Sequence, residues 1–245
     1  MKILVCISNV PDTTTKISFT PDNKAFNKAG VQYVINPYDE YALTRALELK
    51  EAQGGTVTVL NVGEADAEAN IRKALAIGAD DAIRVNANPT DAIFVARQIA
   101  NIAKEGGYDL ILMGRESIDY NGFQVHSMVG ELLGMPSIVP AMKLDVNGSI
   151  ATLEREIEGG KEIIEVKLPI VVSAQQPMCE PRIPNMRGIM TARTKPLQVV
   201  EATQENKATE VSSFALPEGK KGVKMISVED AGTLIDLLRN EAKVL

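Results

Sequence analysis

The sequence has no tryptophan, one histidine and only two cysteines, and it lacks long hydrophobic runs. Cys6 and Cys179 lie far apart without CxxC spacing, which argues against a zinc site. Five phenylalanines and five tyrosines provide few stacking platforms for single-stranded nucleic acid. No run approaches the roughly 18 apolar residues of a membrane helix, and the first residues are typical of a strand with no small-residue cleavage site after it. We therefore expect a cytoplasmic protein.

The net charge of −6 argues against nonspecific nucleic-acid binding, which needs cationic surface. With 245 residues, of which 45% are hydrophobic and 24% charged, the chain can bury a substantial core as one large domain or one domain with an arm. A glycine-rich Walker or pyrophosphatase loop is absent, which argues against an adenine-nucleotide hydrolase or ligase.

Apolar runs alternate with helical patterns through the first half of the chain. The strand-like runs cover residues 3–7, 57–62, 82–85 and 110–113. The helical patterns cover residues 38–52, 65–77 and 90–103. This order predicts an α/β fold with a mostly parallel, doubly wound, Rossmann-like sheet.

The pattern changes after residue 143. Residues 143–146, 150–155 and 162–166 alternate around glycine turns, which predicts an antiparallel hairpin or meander. Residues 168–174 are typical of a buried strand. We expect an α/β domain over residues 1–175, which the family resemblance described below makes nucleotide-binding, and an extended C-terminal arm over residues 176–245.

The predicted arm includes a polar stretch and a terminal helix. Prolines and few long apolar runs mark its first part, the polar stretch covers residues 201–213, and a helical pattern over residues 228–244 has Ser227 as its N-cap. An arm that cannot bury itself indicates a surface completed by another chain, with a flexible tail as the alternative.

A polar loop opens directly after the strand at residues 110–113. Gly114 would let backbone N–H groups approach a phosphate, and we expect Asp119 and Asn121 to cap the helix that follows. The alternative is an ordinary turn between a strand and a helix, without a ligand.

Several segments together match one protein family. Residues 155–164 run Arg-Glu-Ile-Glu-Gly-Gly-Lys-Glu-Ile-Ile, and residues 169–173 run Pro-Ile-Val-Val-Ser. Further matches lie at residues 36–40, 74–80 and 114–119. From Met1 to about Lys195 the chain resembles the β subunit of electron transfer flavoproteins, although Leu153 replaces a smaller or β-branched aliphatic residue.

The resemblance implies a non-catalytic electron-transfer subunit. Such a subunit pairs with an α subunit that holds most of the FAD, accepts electrons from dehydrogenases such as acyl-CoA dehydrogenases in fatty acid β-oxidation, and passes them to a quinone oxidoreductase or another acceptor. It binds AMP in the simple type and a second FAD in the electron-bifurcating type, and we expect AMP. An alternative of another class is a stand-alone nucleotide-binding stress-type protein, which would need neither the hairpin nor the arm.

The resemblance also assigns nucleotide contacts to positions in this chain. They are Cys6, Asn36, Pro37, Tyr38, Asp39, Val62, Gly114, Arg115, Glu116, Ser117, Ile118, Asp119, Tyr120, Asn121, Gly122, Phe123, Gln124 and Val125. The Asn36 side chain can offer a donor and an acceptor to adenine or ribose, and Pro37 fixes the turn. The chain departs from the family at His126, where glycine is common. This ring would narrow the phosphate site or donate to it, or it would lie on the surface.

A basic segment at residues 181–195 matches the family's recognition loop for partner dehydrogenases. It contains Arg182, Arg187, Arg193 and Lys195 and no acidic residue. Met186 falls at the position of the apolar anchor, where a flexible thioether suits several partners. The alternative is a solvated basic strand.

Overall fold

The computed structural model describes residues 1–204, 206–219 and 222–245. Residues 205, 220 and 221, which belong to the predicted arm, lie outside the described residues. The strands of the described residues are β1 (Lys2–Cys6), β2 (Asn9–Pro11), β3 (Tyr33–Ile35), β4 (Thr56–Gly63), β5 (Asp81–Asn86), β6 (Leu110–Gly114), β7 (Ser137–Ala141), β8 (Lys143–Asn147), β9 (Ile150–Ile157), β10 (Gly160–Lys167), β11 (Ile170–Ala174) and β12 (Leu197–Glu201). The α-helices are α1 (Pro37–Gln53), α2 (Glu68–Ile77), α3 (Ala92–Gly106), α4 (Val125–Leu133), α5 (Met186–Ala192) and α6 (Ala231–Asn240).

A seven-stranded parallel sheet forms the centre of the fold in the order β12-β5-β4-β1-β6-β11-β7. Ile3 of β1 pairs with Val57 of β4 on one side and with Leu110 of β6 on the other. These strands are continuous apolar runs because helices cover both faces of the sheet. The predicted α/β fold with a mostly parallel, doubly wound sheet is confirmed.

Successive residues of β1 enter different cores. Ile3 and Val5 pack with residues of α1 and α2, whereas Leu4 and Cys6 pack with residues of α3 and α4. This alternation follows from the two-residue period of a strand. The first three predicted helices are present as α1, as a 3₁₀ turn with α2, and as α3, which Asp91 caps by accepting the Phe94 N–H at 2.8 Å.

The predicted antiparallel meander is also confirmed. Strands β8, β9 and β10 form a three-stranded sheet, and Leu144 and Leu153 bury their side chains in the same core as α1 and α2. Two-residue turns follow Asn147 and Ile157. A short antiparallel pair, β2 and β3, flanks the first turn of α1.

The segment after β11 contains regular structure that the sequence analysis missed. Strand β12 joins the parallel sheet beside β5, with Leu197 opposite Ala82. Two compact units are present, one comprising Met1–Ile17 and Asn27–Ser212 and the other Ser18–Phe26 and Ser213–Leu245. In the second unit, Ser227 caps a 3₁₀ turn that leads into α6, and Phe19 stacks on Phe214 at 5.0 Å between ring centroids.

Candidate functional site

The parallel sheet has a topological switch point between β1 and β6. The chain builds β4, β5 and β12 on one side of β1, and β6, β11 and β7 on the other. In open α/β sheets, ligands bind beyond the carboxyl ends of the strands at such a point. Cys6 is the last residue of β1 and Gly114 the last residue of β6, and the two strands are neighbours. Predicted nucleotide contacts from two distant parts of the sequence therefore lie at the same edge of the sheet.

The turn before α1 also lies at this point, and its polar side chains are engaged within the protein. The Asn36 side chain donates to the Glu116 carbonyl at 2.8 Å and accepts the Ile118 N–H at 3.2 Å. Asp39 accepts the Ser8 N–H and the Gly114 N–H, each at 2.7 Å. One donor and one acceptor position of the Asn36 amide are thus engaged within the protein, and its predicted contact with adenine or ribose stays a prediction.

Gly114 is required by the close approach of this turn. A Cβ atom at position 114 would lie 2.6 Å from the Tyr38 Cβ atom and would also overlap the Asp39 carboxylate. Cβ atoms do not approach other atoms so closely, so a side chain would force β6 and α1 apart. Pro37 occupies the first turn of α1, where its missing N–H removes no helical hydrogen bond.

Arg115 organises the first part of the loop after β6. Its guanidinium lies 5.7 Å from the centre of the Tyr38 ring and 5.1 Å from that of Phe123, within cation–π range of both. It also donates to the Gln175 side chain at 3.0 Å and lies 3.4 Å from a Glu116 carboxylate oxygen. One half-buried cation thus joins the loop to the end of β11.

The loop is longer than the capping prediction assumed, and that prediction is wrong. Helix α4 starts at Val125, and its N-cap is Gln124 without a side-chain cap, so neither Asp119 nor Asn121 caps it. Asn121 and Phe123 adopt left-handed backbone conformations, with φ of 49° and 48°, which extend the turn. The first N–H groups of α4 therefore lack a side-chain acceptor and suit an anion.

The remaining predicted loop residues differ in exposure. Ser117 and Ile118 are half-buried, whereas Asp119, Tyr120, Gly122 and Gln124 are exposed. Tyr120 is 56% exposed. A ligand in this loop would thus have polar groups and an aromatic ring accessible on one side.

His126 is buried at 1% exposure, so the interpretation as a surface histidine is wrong. Its Nε2 faces the Arg115 carbonyl at 3.0 Å and therefore carries the proton, while Nδ1 lies 3.0 Å from the Ser127 hydroxyl. Burial lowers the pKa of the imidazole to about 4. With Phe123 edge-on at 4.9 Å, the neutral ring fixes the loop against α4.

Cys6 and Val62 are buried at the ends of β1 and β4 and belong to the core formed with α3 and α4. Burial raises the pKa of the Cys6 thiol, and the Asp39 charge raises it further. The thiol is therefore neutral and carries no nucleophilic chemistry. Both side chains can offer only apolar contact.

Two buried polar side chains near the strand ends were missed. The Asn61 Oδ1 atom and the Ser173 hydroxyl have no hydrogen-bond partner within the described ranges, although Asn61 donates to the Ile7 carbonyl at 2.9 Å. Buried polar groups normally have partners. Asn61 alternates with Leu60 and Val62 and therefore faces α1 and α2, whereas Ser173 lies on the opposite face with Val171. The signal in the sequence is a polar residue near the carboxyl end of an otherwise apolar strand.

The predicted recognition loop forms α5 and its flanks. Four apolar side chains are exposed there, namely Ile183, Met186, Ile189 and Met190. Helix α5 packs on α2, where Arg72 donates to the carbonyls of Ala192 and Lys195 at 2.9 and 2.7 Å. The segment is therefore held from behind while its apolar side chains face outward.

The four basic residues of this segment form two groups, of which one has partners within the protein. Arg182 forms a bidentate ion pair with Glu51 at 2.6 and 2.8 Å, and Lys195 donates to the Leu75 and Ala79 carbonyls. Arg187 and Arg193 are exposed and have no ion-pair partner in the part of the chain that the structure describes. Only this second pair is available to a partner protein.

Other surfaces of the described residues do not suggest another site. A concavity of about 670 Å³ lies on the antiparallel sheet, lined in part by Glu154, Glu156, Lys161 and Met178, away from the predicted nucleotide contacts. No group of three metal-ligating side chains occurs among the described residues. Nor does any helix there have the length and apolarity needed to cross a membrane.

Comparison with known proteins agrees with this geometry. The model of the electron transfer flavoprotein domain matches residues 24–205. Proteins named electron transfer flavoprotein subunit beta are 37% identical in Bacillus subtilis over 260 aligned positions and 35% identical in Bradyrhizobium diazoefficiens over 254, each covering both chains fully. One from Syntrophomonas wolfei is 35% identical and covers all of this chain and 98% of its own. The chain therefore belongs to the electron transfer flavoprotein family, in its beta-subunit group.

Proposed function

We propose that this chain pairs with an α subunit and transfers electrons without catalytic residues of its own. The heterodimer would accept electrons from dehydrogenases, such as acyl-CoA dehydrogenases, and pass them to a quinone oxidoreductase or another acceptor. FAD, held mainly by the α subunit, would supply the redox chemistry. Full-length similarity to beta subunits supports this proposal.

The chain would also bind AMP at the carboxyl ends of β1 and β6. The observation that carries this assignment is the N-terminus of α4, which has no side-chain cap and lies directly after the Gly114 loop. The N–H groups of Val125, His126 and Ser127 would bind the phosphate, because a helix N-terminus favours anions. The Ser173 hydroxyl, which has no hydrogen-bond partner within the described ranges, lies on the face of the sheet that α4 covers.

We infer that the loop binds AMP rather than a second FAD. The buried His126 ring, packed against Phe123, adds volume in the first turn of α4, where a diphosphate would need more space than a monophosphate. The guanidinium of Arg115 stacks on Phe123 in the same loop. The bifurcating type, with a second FAD, is the alternative outcome of the test below.

Two exposed surfaces support the proposed protein partners. Around α5, Met186 is 75% exposed beside the unpaired Arg187, which suits a dehydrogenase surface with an apolar pocket and acidic residues. In the second unit, Leu234 and Ile235 of α6 are 44% and 50% exposed. The apolar side chains of a helix normally face a hydrophobic core. We infer that the C-terminal arm, residues 176–245, packs on the α subunit and that α6 contributes to this contact.

Cofactor counting tests the proposal. The chain would be co-expressed with a candidate α subunit and the purified complex denatured, with released FAD and AMP quantified per heterodimer by chromatography. We expect one FAD and one AMP. Two FAD and no AMP would overturn the AMP assignment, and a chain that never forms a heterodimer would overturn the subunit assignment. The α subunit purified alone is the control, because it gives the amount of FAD that is bound without this chain.

A further inference from the structure

Asp39 joins two strands of the parallel sheet at the switch point. Its Oδ2 accepts the N–H of Ser8, just after β1, and its Oδ1 accepts the N–H of Gly114, the last residue of β6. Both distances are 2.7 Å, and Asp39 is only 3% exposed. Backbone N–H groups at such a point are the ones an α/β fold commonly offers to a ligand's phosphate. In this protein a carboxylate of the chain itself occupies them.

Asn36 extends the same connection along the loop. It lies three residues before Asp39, at the N-cap of α1, and its side chain bonds the backbone of Glu116 and Ile118. An asparagine at an N-cap normally accepts an N–H of its own helix, but this one makes no such bond. One turn of the chain therefore holds the loop at its start and in its middle.

We propose that Asp39 and Asn36 are positioning residues that fix the loop after β6 against β1, rather than side chains that contact the nucleotide. The inference rests on the proposed nucleotide site, because it explains how that site is built. The Asp39 carboxyl group occupies these two N–H groups, and a phosphate would bind at the N-terminus of α4 instead. Asp39 is buried, so a ligand would have little access to its two carboxylate oxygens.

The energetics agree with a structural task. Burial raises the pKa of Asp39 to about 7, against the lowering effect of its hydrogen bonds, and the charge of Asp119 raises it further. The Cys6 thiol of β1 also interacts electrostatically with Asp39. Asp39 has no ion-pair partner within the described ranges, so the bonds from the Ser8 and Gly114 N–H groups and from the Asn36 side chain are what favour its charged form. Charge-assisted bonds of this kind are stronger than neutral ones.

Hydrogen exchange of the full-length chain, prepared without nucleotide, tests the inference directly. In the wild type, the amides of Ser8 and Gly114 should be protected; free exchange at both would overturn the proposal without any substitution. In Asp39→Asn the amide NH₂ group opposes one N–H donor, so we expect exchange in residues 110–124 about tenfold faster. Unchanged protection in this variant would also overturn it.

Glu40→Gln is the matched control. Glu40 is the next residue in the first turn of α1 and pairs with Lys73 at 2.8 Å, away from the loop. The substitution removes the same charge from the same helix end, so a general dipole effect would accelerate exchange in both variants. We expect protection of residues 110–124 to be retained in Glu40→Gln, and equal acceleration in both variants would contradict a specific role for Asp39.

Asp39→Ala with added formate provides a second test. Formate can occupy the position of the missing carboxylate, so protection of Gly114 should return with formate and not with chloride. AMP retention separates this inference from the proposed function. If the wild type binds no AMP while loop protection depends on Asp39, only the nucleotide assignment fails. If Asp39→Asn loses AMP with loop protection unchanged, Asp39 is a ligand contact and the inference fails.

Discussion

The loop after β6 and the surface around α5 use their side chains in opposite ways. Around the loop, the side chains of Asn36 and Asp39 form hydrogen bonds with backbone groups. The first N–H groups of α4 have no side-chain cap. On α5, the Arg72 side chain of α2 donates to the backbone at the end of the helix, and large apolar side chains such as Met186 remain exposed. The first arrangement suits a small anionic ligand in a fixed frame, and the second suits a protein that buries apolar surface. The predictions below test whether these two regions are as different as their contacts indicate.

The largest effect is expected from Gly114→Ala. The new methyl group would overlap Tyr38 and the Asp39 carboxylate, so the free energy of unfolding should fall by about 1–3 kcal/mol, measured by urea unfolding. Gly122→Ala is the control in the same loop, because its nearest neighbour, a Gln124 side-chain nitrogen, would lie at an ordinary 3.5 Å. Equal destabilisation by both substitutions would show that the loop is not held as tightly as the contacts indicate.

Met186→Ala should weaken docking without changing the loop. Burial of this side chain by a dehydrogenase is worth about 1.5–3 kcal/mol, so the KM for the heterodimer should rise about tenfold or more. The measurement is steady-state reduction of the heterodimer by the dehydrogenase, with flavin content determined in parallel. Met186→Leu keeps the apolar volume and should behave like the wild type. Unchanged transfer kinetics in Met186→Ala would rule out the anchor role.

The buried imidazole of His126 should make the free energy of unfolding decrease at acidic pH. Its pKa in the folded protein is about 4, below the ordinary 6.5, so the unfolded chain takes up a proton first as pH falls. The stabilisation is present above about pH 6.5 and is lost as pH falls toward 4. Compared with His126→Gln, the wild type should lose stability between pH 7.5 and 5 in urea unfolding.

Asp39 changes the stability with pH in the opposite direction to His126. The measurement against His126→Gln separates the two effects. The pKa of Asp39 in the folded protein is raised from 3.8 to about 7, so its contribution is fully present below about pH 3.8 and is lost as pH rises through 7. Both proteins in the His126 comparison retain Asp39, so this contribution cancels between them. A difference between wild type and variant that does not change with pH would contradict a buried neutral His126.

The same contrast explains which features were predictable from the sequence. Apolar runs such as residues 110–113 identify buried strands because both faces are covered, and the periodicity of α1 to α3 follows from burial on one side. The caps proposed at Asp119 and Asn121 failed because residue type does not reveal where a loop ends. Strand β12 was missed because it lies at a sheet edge, where short, partly exposed sequences carry little apolar signal.

The roles of Asn36 and Asp39 needed the three-dimensional structure. Their bonds join residues 31 to 82 positions apart in the chain, so no local pattern could indicate them. The segment around Met186 was easier to interpret. Exposed apolar residues beside unpaired arginines are visible as composition, whereas the split of the four basic residues into paired and unpaired depends on Glu51 and on the end of α2.

The smallest effect is expected from the unpaired arginines. Arg187→Gln combined with Arg193→Gln should slow association with the dehydrogenase a few-fold at low salt and flatten its salt dependence, because exposed charges steer encounter and are screened by salt. Rapid-mixing kinetics across ionic strength would measure this. Arg182→Gln is the control, since its charge is paired with Glu51 and is already largely compensated. If Arg182→Gln flattened the salt dependence as much as the double variant, the net charge of the segment would govern docking. The apolar face of α5 would then have to account for specificity alone.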